Sequence, residues 1–166
     1  MKTKDNLKEA FSGESQANRK YLAFGERAAK DGYPQVARLF RAVAAAETVH
    51  AHAHLRAMDG VQETVANLEE AAAGEKYEFE AMYPPMVATA EKEGERRAAI
   101  AMKHALEVEK VHYGLFNQAL EAVRSGKDLE DAPIRVCPVC GHTVIGDAPD
   151  QCPVCKAKGE KFQEVA

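Results

Sequence analysis

Residues 36–57 read VARLFRAVAAAETVHAHAHLRA, and this stretch decides the fold because an acid and an imidazole stand in its apolar row. Positions three and four apart share one face of a helix. The row that begins with the apolar residues Val36 and Phe40 continues, at that spacing, to Glu47 and His50. Burying an unpaired carboxylate costs so much free energy that it needs a positive partner. The stretch therefore predicts a long helix whose inner face binds metal.

The same pattern occurs in three further segments. The first places Glu14 in its apolar row, the third places Glu75 and Glu78 there, and the fourth repeats Glu-x-x-His as Glu109 and His112. A glutamate from each of two helices plus Glu-x-x-His from each of two others is the ligand set of di-iron or di-manganese carboxylate sites in ferritin-like bundles. Carboxylate and imidazole together suit iron or manganese. The pattern therefore predicts a two-metal site, with Glu78 as an additional carboxylate.

Turn residues divide the first 126 residues into four predicted helices. The breaks are Asp31-Gly32-Tyr33-Pro34, Asp59-Gly60, Gly94 and Ser125-Gly126. We expect residues 61–66 to form a crossover, Asn67 to cap the third helix, and Pro84 and Pro85 to kink that helix near Met82. Four long helices with one crossover describe a ferritin-like four-helix bundle, so the predicted fold class is mainly α.

The four cysteines form two CxxC pairs in the C-terminal tail, Cys137-Pro-Val-Cys140 and Cys152-Pro-Val-Cys155. Four thiolates from two such turns make a tetrahedral site, and the spacing leaves both zinc and a single iron open. We predict a bundle over residues 1–126, a linker over residues 127–134 and a small metal-binding β/turn domain over residues 135–166.

The composition excludes several classes of function. A net charge of −4 without a basic stripe argues against nucleic acid as a partner. No apolar run approaches the roughly 18 residues of a membrane span, and the N-terminus lacks the apolar core of a signal peptide. We therefore expect a cytoplasmic protein without a membrane partner, in which thiols are reduced and free to bind metal. No GxGxxG nucleotide fingerprint occurs.

Taken together, the chain resembles the rubrerythrins, which combine a ferritin-like di-iron bundle with a rubredoxin-like tail. The matching stretches are Phe11-Ser-Gly-Glu-Ser, Glu47-Thr-Val-His50-Ala, the segment from Gly74 to Pro84, Glu109-Lys-Val-His112 and the module from Cys137 to Cys155. The resemblance implies that two non-haem irons are bound by Glu14, Glu47, His50, Glu75, Glu78, Glu109 and His112. It implies a further iron, with zinc as the alternative, at Cys137, Cys140, Cys152 and Cys155.

The resemblance also implies roles for individual residues. In that family one iron moves between the positions of Glu78 and His50 when the redox state changes. Tyr21 and Tyr83 resemble the tyrosines that hydrogen-bond ligand carboxylates, and the alternative is that both are core aromatics.

The activity implied by the resemblance is reduction of hydrogen peroxide to water, with electrons entering through the tetracysteine iron. These would come from a separate reductase or a rubredoxin, and ultimately from NAD(P)H. The family forms a head-to-tail homodimer in which one tail faces the partner's di-iron site. Two alternatives stay open: a ferroxidase or oxygen-reducing di-iron protein, and a zinc-stapled sensor or scaffold.

One position departs from the family pattern. Lys156 follows Cys155 where a rubredoxin-like knuckle has glycine, whereas Gly141 follows Cys140 in the first knuckle. Glycine suits the left-handed turn that aims backbone amides at sulfur, and lysine is disfavoured there. Lysine at this position bears on the reduction potential and the metal identity of the tetracysteine centre, and not on ligation itself.

Overall fold

A computed structural model describes residues 2–165, and the chain divides after Gln62 into two compact units. The first unit is a pair of helices, α1 (Thr3–Lys30) and α2 (Pro34–Ala57). The turn between them includes Gly32 at φ +86°. A Cβ on Gly25 would lie 3.3 Å from the carbonyl oxygen of Ala37, so glycine lets the two helices approach closely.

The second unit begins with helical segments that carry the other three predicted metal-binding acids, Glu75, Glu78 and Glu109. The segments are α3 (Thr64–Tyr77), a π-helical segment (Glu78–Met82), α4 (Tyr83–Lys92) and α5 (Arg96–Arg124). The amide of Tyr83 donates to the carbonyl of Glu78, five residues earlier, which is the bond that defines a π-turn. Such turns are frequent at functional sites.

The second unit ends in the cysteine tail, which forms a small antiparallel sheet. Its strands are β1 (Ile134–Val136), β2 (Thr143–Ile145) and β3 (Gln163–Val165), in the order β2-β1-β3. A 3-10 turn over Gly159–Lys161 precedes β3. The tail packs on α5 of its own chain, where Gly141 lies against the buried Val108.

The observed helix ends test the expectations from turn residues. The breaks at residues 31–34, Asp59-Gly60, Gly94 and Ser125-Gly126 are confirmed. The prediction that Asn67 caps the third helix is wrong, because α3 already begins at Thr64 and the amide of Asn67 donates to the carbonyl of Glu63. The expected kink before Pro84 takes the form of the π-helical segment.

Among residues 2–165, no helix combines the length and the apolar character that crossing a membrane requires.

Candidate metal centres

The first unit brings together three of the predicted ligands, which we call the first donor set: Glu14, Glu47 and His50. The Nδ1 atom of His50 lies 3.0 Å from a carboxylate oxygen of Glu47 and 3.9 Å from one of Glu14. The pKa of Glu47 is lowered by its hydrogen bond with Glu14 and by His50. Helix α2 aligns Glu47 with His50 because they are three residues apart, and α1 supplies Glu14.

The second unit contains a second donor set of the same composition: Glu75, Glu109 and His112. Here the Nδ1 atom of His112 lies 2.8 Å from an oxygen of Glu109 and 3.7 Å from one of Glu75. Helix α5 supplies the Glu-x-x-His pair and α3 supplies Glu75. The two donor sets therefore repeat one geometry, with the same histidine nitrogen turned toward the acids in each.

Both donor sets fit a metal ion. Within each set, one oxygen or nitrogen from every residue lies within 4.8 Å of the others. A six-coordinate ion with bonds of about 2.1 Å holds neighbouring donor atoms about 3 Å apart. Mixed oxygen and imidazole donors are the chemistry that iron and manganese accept.

The tail fixes the orientation of His112. Its Nε2 atom lies 3.0 Å from Oγ1 of Thr143 and 3.3 Å from the carbonyl oxygen of Gly141. The Thr143 hydroxyl itself donates to the Gly141 carbonyl, so its oxygen can accept from Nε2–H of His112. A proton held on Nε2 leaves Nδ1 with a free lone pair directed at the donor set. These contacts therefore select the tautomer that can bind metal.

Electrostatics in the second unit favour a cation. Burial and then neighbouring Glu109 raise the pKa of Glu75 to about 7. Burial and Glu75 raise the pKa of Glu78, which places the additional carboxylate beside this donor set. The pKa of Tyr83 is raised by burial and by Glu78, Glu109 and Glu75. A metal ion among these groups would relieve the repulsion that raises their pKa values.

The two predicted tyrosines have different surroundings. Tyr83 lies in the field of the second-unit carboxylates. Tyr21 packs in an aromatic cluster, with its ring centre 6.4 Å from that of Phe24 and 6.1 Å from that of Phe40. Hydrogen bonding of Tyr21 to a ligand carboxylate stays a prediction.

The four cysteines converge on one point. The sulfurs of Cys137 and Cys155 are 3.6 Å apart, as are those of Cys140 and Cys152. Tetrahedral coordination at about 2.3 Å places sulfurs about 3.8 Å apart, so the thiol spacing fits one metal ion. All four are free cysteines, and Cys137 and Cys152 are buried.

Backbone amides already point at the sulfurs. Although burial acts in the opposite direction, hydrogen bonds from the amides of Cys155 and Val154 help lower the pKa of Cys152 to about 7. Burial raises the pKa of Cys140, against a hydrogen bond from the amide of His142. Amides directed at sulfur stabilise thiolate and hence a thiolate-bound metal.

The two knuckles share one backbone conformation. Gly141 has φ +87° and Lys156 has φ +64°, so both positions are left-handed. The ammonium of Lys156 donates to the carbonyl of Pro153 at 2.8 Å. The lysine thus occupies a glycine-type position without preventing the four sulfurs from converging.

The fold and the two kinds of donor site define a ferritin-like carboxylate protein with a rubredoxin-like domain. The rubrerythrin family model matches residues 5–120, and the model of the rubrerythrin rubredoxin-like domain matches residues 136–163. The chain belongs to the rubrerythrin family. This confirms the predicted fold class and supports an iron-dependent oxidoreductase.

Individual relatives align over almost the whole chain. Rubrerythrin-2 of Clostridium acetobutylicum is 37% identical, with 97% of this chain and 95% of the relative covered. Nigerythrin of Nitratidesulfovibrio vulgaris is 36% identical, with coverage of 96% and 85%. A solved structure of nigerythrin in its fully reduced, all-ferrous state matches with a TM-score of 0.57 and 31% identity, over 99% of this chain and 87% of that one. These relatives imply iron as the metal.

Sequence reasoning missed Thr143. Its side chain contacts His112, which lies 31 residues away in the chain, so no local pattern reports the pairing. A metal-binding histidine usually has its second nitrogen hydrogen-bonded, so a partner for His112 could be expected, but this rule does not say which residue it is.

Proposed function

We propose that the chain is a non-haem di-iron peroxidase that reduces hydrogen peroxide to water and receives electrons through a mono-iron tetracysteine centre. The observation that carries this proposal is the repeated donor geometry, in which Nδ1 of His50 and Nδ1 of His112 each lie within 3.0 Å of the glutamate three residues earlier. The all-ferrous state of the related nigerythrin supports iron as the occupant.

Seven side chains would hold the two irons: Glu14, Glu47, His50, Glu75, Glu78, Glu109 and His112. The sulfurs of Cys137, Cys140, Cys152 and Cys155 would hold the third. When bound, two ferrous ions supply the two electrons that cleave the peroxide bond, and the tetracysteine iron supplies electrons that return them to the ferrous state. Reduction of one peroxide to two waters also consumes two protons, which the protein must provide.

Tyr83 is suited to protonate or orient peroxide. Burial and the surrounding carboxylates keep its pKa raised, so its hydroxyl stays protonated at neutral pH and can donate a hydrogen bond. Glu78 shares this environment, and its raised pKa favours holding a proton whenever it is not binding metal.

Electron delivery is supported by contacts within the second unit. His112 reaches the first cysteine knuckle through Thr143 and the carbonyl of Gly141, and Gly141 is covalently bonded to Cys140. The tail thus touches a predicted iron ligand directly. A separate reductase or a rubredoxin would supply the electrons, and the homodimer stays a prediction.

Two alternatives differ from the proposal in measurable ways. A ferroxidase or oxygen-reducing protein would use the same carboxylates with dioxygen as oxidant. A zinc-stapled scaffold would use the same cysteines, since their spacing suits zinc as well. Colour separates iron from zinc in the tail, because ferric tetrathiolate is red and the zinc form is colourless.

The substitution Glu47→Ala tests the site assignment. We expect it to abolish peroxide turnover and to leave the red colour of the tail unchanged. The matched control is Glu107→Ala, which removes an exposed acid that pairs with Lys110 on α5. Retained turnover in Glu47→Ala would contradict the proposed site.

A further inference from the structure

We propose that Lys156 is a positioning residue that raises the reduction potential of the tetracysteine centre, acting through the peptide that joins Pro153 to Val154. The ammonium of Lys156 donates to the carbonyl oxygen of Pro153 at 2.8 Å. The amide of Val154, in the same peptide, donates to Sγ of Cys152. This inference rests on the proposed function in one respect, because only a tail that binds iron takes up electrons.

The two cysteine knuckles of the tail allow an internal comparison. The first reads Cys-Pro-Val-Cys-Gly over residues 137–141 and the second reads Cys-Pro-Val-Cys-Lys over residues 152–156, so they differ only at the last position. In both, the amide of the last residue donates to the carbonyl of the first, at 2.9 Å in the first knuckle and 3.0 Å in the second. Lys156 therefore adds a side chain to a backbone that the knuckles share.

This side chain is present although its backbone conformation is unfavourable. Of the residues that the structure describes, only Asp59 and Lys156 are not glycine and have a positive φ, and aspartate tolerates that region better than lysine. The carbonyl of Lys156 accepts from the side-chain amide of Gln151 at 2.9 Å, which holds the residue in place. Glycine would avoid the strain, so the ammonium is what lysine contributes here.

The peptide between Pro153 and Val154 connects the ammonium to sulfur. It is trans, so its C=O and its N–H point in opposite directions. The oxygen accepts from Lys156 on one side, and the N–H donates to Cys152 on the other. A charged donor polarises the peptide, and hydrogen bonds in series strengthen one another. The N–H of Val154 is therefore a stronger donor to sulfur than it would be without the lysine.

The sign of the effect follows from the charge of the centre. Four thiolates carry one net negative charge with ferric iron and two with ferrous iron, and the change takes up one electron and no proton. A stronger N–H···S bond and a nearby ammonium both stabilise the more negative state. Lys156 therefore raises the reduction potential, which favours electron uptake from the reductase or rubredoxin of the proposed function.

Replacing Lys156 with methionine tests the proposal, because it removes the charge and keeps a long side chain on the same backbone. At a fixed ambient potential, the ratio of ferrous to ferric tail centre should fall about three- to tenfold, which corresponds to a potential lower by roughly 30–60 mV for a one-electron couple. Spectroelectrochemical titration of the iron-loaded full chain measures the ratio, since the ferric tetrathiolate is red. An unchanged potential would overturn the proposal.

Three further variants separate the contact from strain and from overall charge. Lys158→Met is the matched control, because it removes the same charge from an ammonium that lies 3.8 Å from Glu160, and its potential should stay close to wild type. Lys156→Arg keeps a charged donor and should retain the wild-type potential. Lys156→Gly also removes the strain and should lower the potential as far as Lys156→Met does. Equal falls in Lys158→Met and Lys156→Met, or a wild-type potential in Lys156→Gly, would contradict the role of the contact with Pro153.

A measurement without iron separates this inference from the proposed function. In the full chain loaded with zinc, the amide proton of Val154 should resonate further upfield in Lys156→Met than in wild type, because its hydrogen bond to sulfur is weaker. Val139 holds the equivalent position in the first knuckle and is the internal reference, whose amide proton should not move. An unmoved Val154 signal would overturn the route through the peptide.

The two failures are therefore distinguishable. If the wild-type protein reduces peroxide but its tail potential does not depend on Lys156, only this inference fails. If the isolated wild-type tail holds zinc and no iron, the proposed entry of electrons fails, and the Val154 signal still decides whether Lys156 polarises the peptide.

Discussion

His112 has two ring nitrogens with different functions. Nδ1 lies among the carboxylates of the second donor set, and Nε2 is held by Thr143 and the carbonyl of Gly141. The two contacts of Nε2 fix the tautomer and the orientation of the ring before any metal binds. They also connect a predicted iron ligand to the cysteine tail, so one side chain combines ligation with a route for electrons.

Replacing Thr143 with valine should weaken metal binding at the second donor set by about tenfold, because Nε2–H of His112 loses the nearer of its two acceptors and keeps only the carbonyl of Gly141. Anaerobic titration with Mn²⁺ or Fe²⁺ measures the affinity. Thr89→Val is the matched control, since the Thr89 hydroxyl donates to the carbonyl of Pro85 at an exposed position. Equal affinity in both variants would contradict the proposed role of Thr143.

The raised pKa of Glu75 predicts that the stability of the metal-free protein depends on pH. Its pKa is raised from 4.5 to about 7, so the folded state holds this proton more tightly than the unfolded chain does. The free energy of unfolding should therefore fall by roughly 1–3 kcal/mol as the pH rises from about 4.5 to about 7. Urea unfolding at about pH 5 and about pH 8 measures the effect. Glu75→Gln should reduce the dependence, and an unchanged pH profile in that variant would argue against Glu75 as its source.

Helices α1 and α2 form a pair with a small-residue seam. Ala28, Ala37, Ala44 and Ala51 are its buried apolar residues, so the backbones lie close but little apolar surface is buried. Asn18 provides a polar connection, donating to the carbonyl of Ala44 at 2.7 Å and to Oγ1 of Thr48 at 2.8 Å. Asn18 lies one turn from Glu14, so this connection sets the register of the first donor set.

Asn18→Ala should therefore destabilise the protein by roughly 1–3 kcal/mol, because it removes two hydrogen bonds from a buried position. We also expect a lower affinity of the first donor set for metal. Gln16→Ala is the matched control on the exposed face of α1, where the amide donates to Ser12. Chemical denaturation compares the two variants, and similar midpoints would refute the structural role of Asn18.

For the whole molecule, local patterns predicted most of the helices and all members of the two donor sets. Helical spacing and turn residues act over a few positions, so they located Glu47 with His50 and the turn at Asp59-Gly60. The start of α3 was missed because Thr64 to Ala66 give no distinctive capping signal. Pro84 indicated a break but could not specify a π-turn.

Longer-range features were not predictable in this way. The contact between Thr143 and His112 depends on how the tail packs on α5. The division into two compact units after Gln62 reflects contacts between residues far apart in the chain, which no local pattern reports. The predicted ranges 1–126, 127–134 and 135–166 stay predictions, as does ligation by all seven side chains.

The most direct measurement mixes anaerobically prepared, fully reduced protein with oxygen-free hydrogen peroxide or with dioxygen in separate stopped-flow experiments and follows its oxidation. The proposal predicts that one equivalent of peroxide rapidly oxidises the iron pair with transfer of two electrons, and that dioxygen reacts more slowly. Faster reaction with dioxygen, or no reaction of the iron pair with peroxide, would contradict the assignment of this chain as a peroxidase.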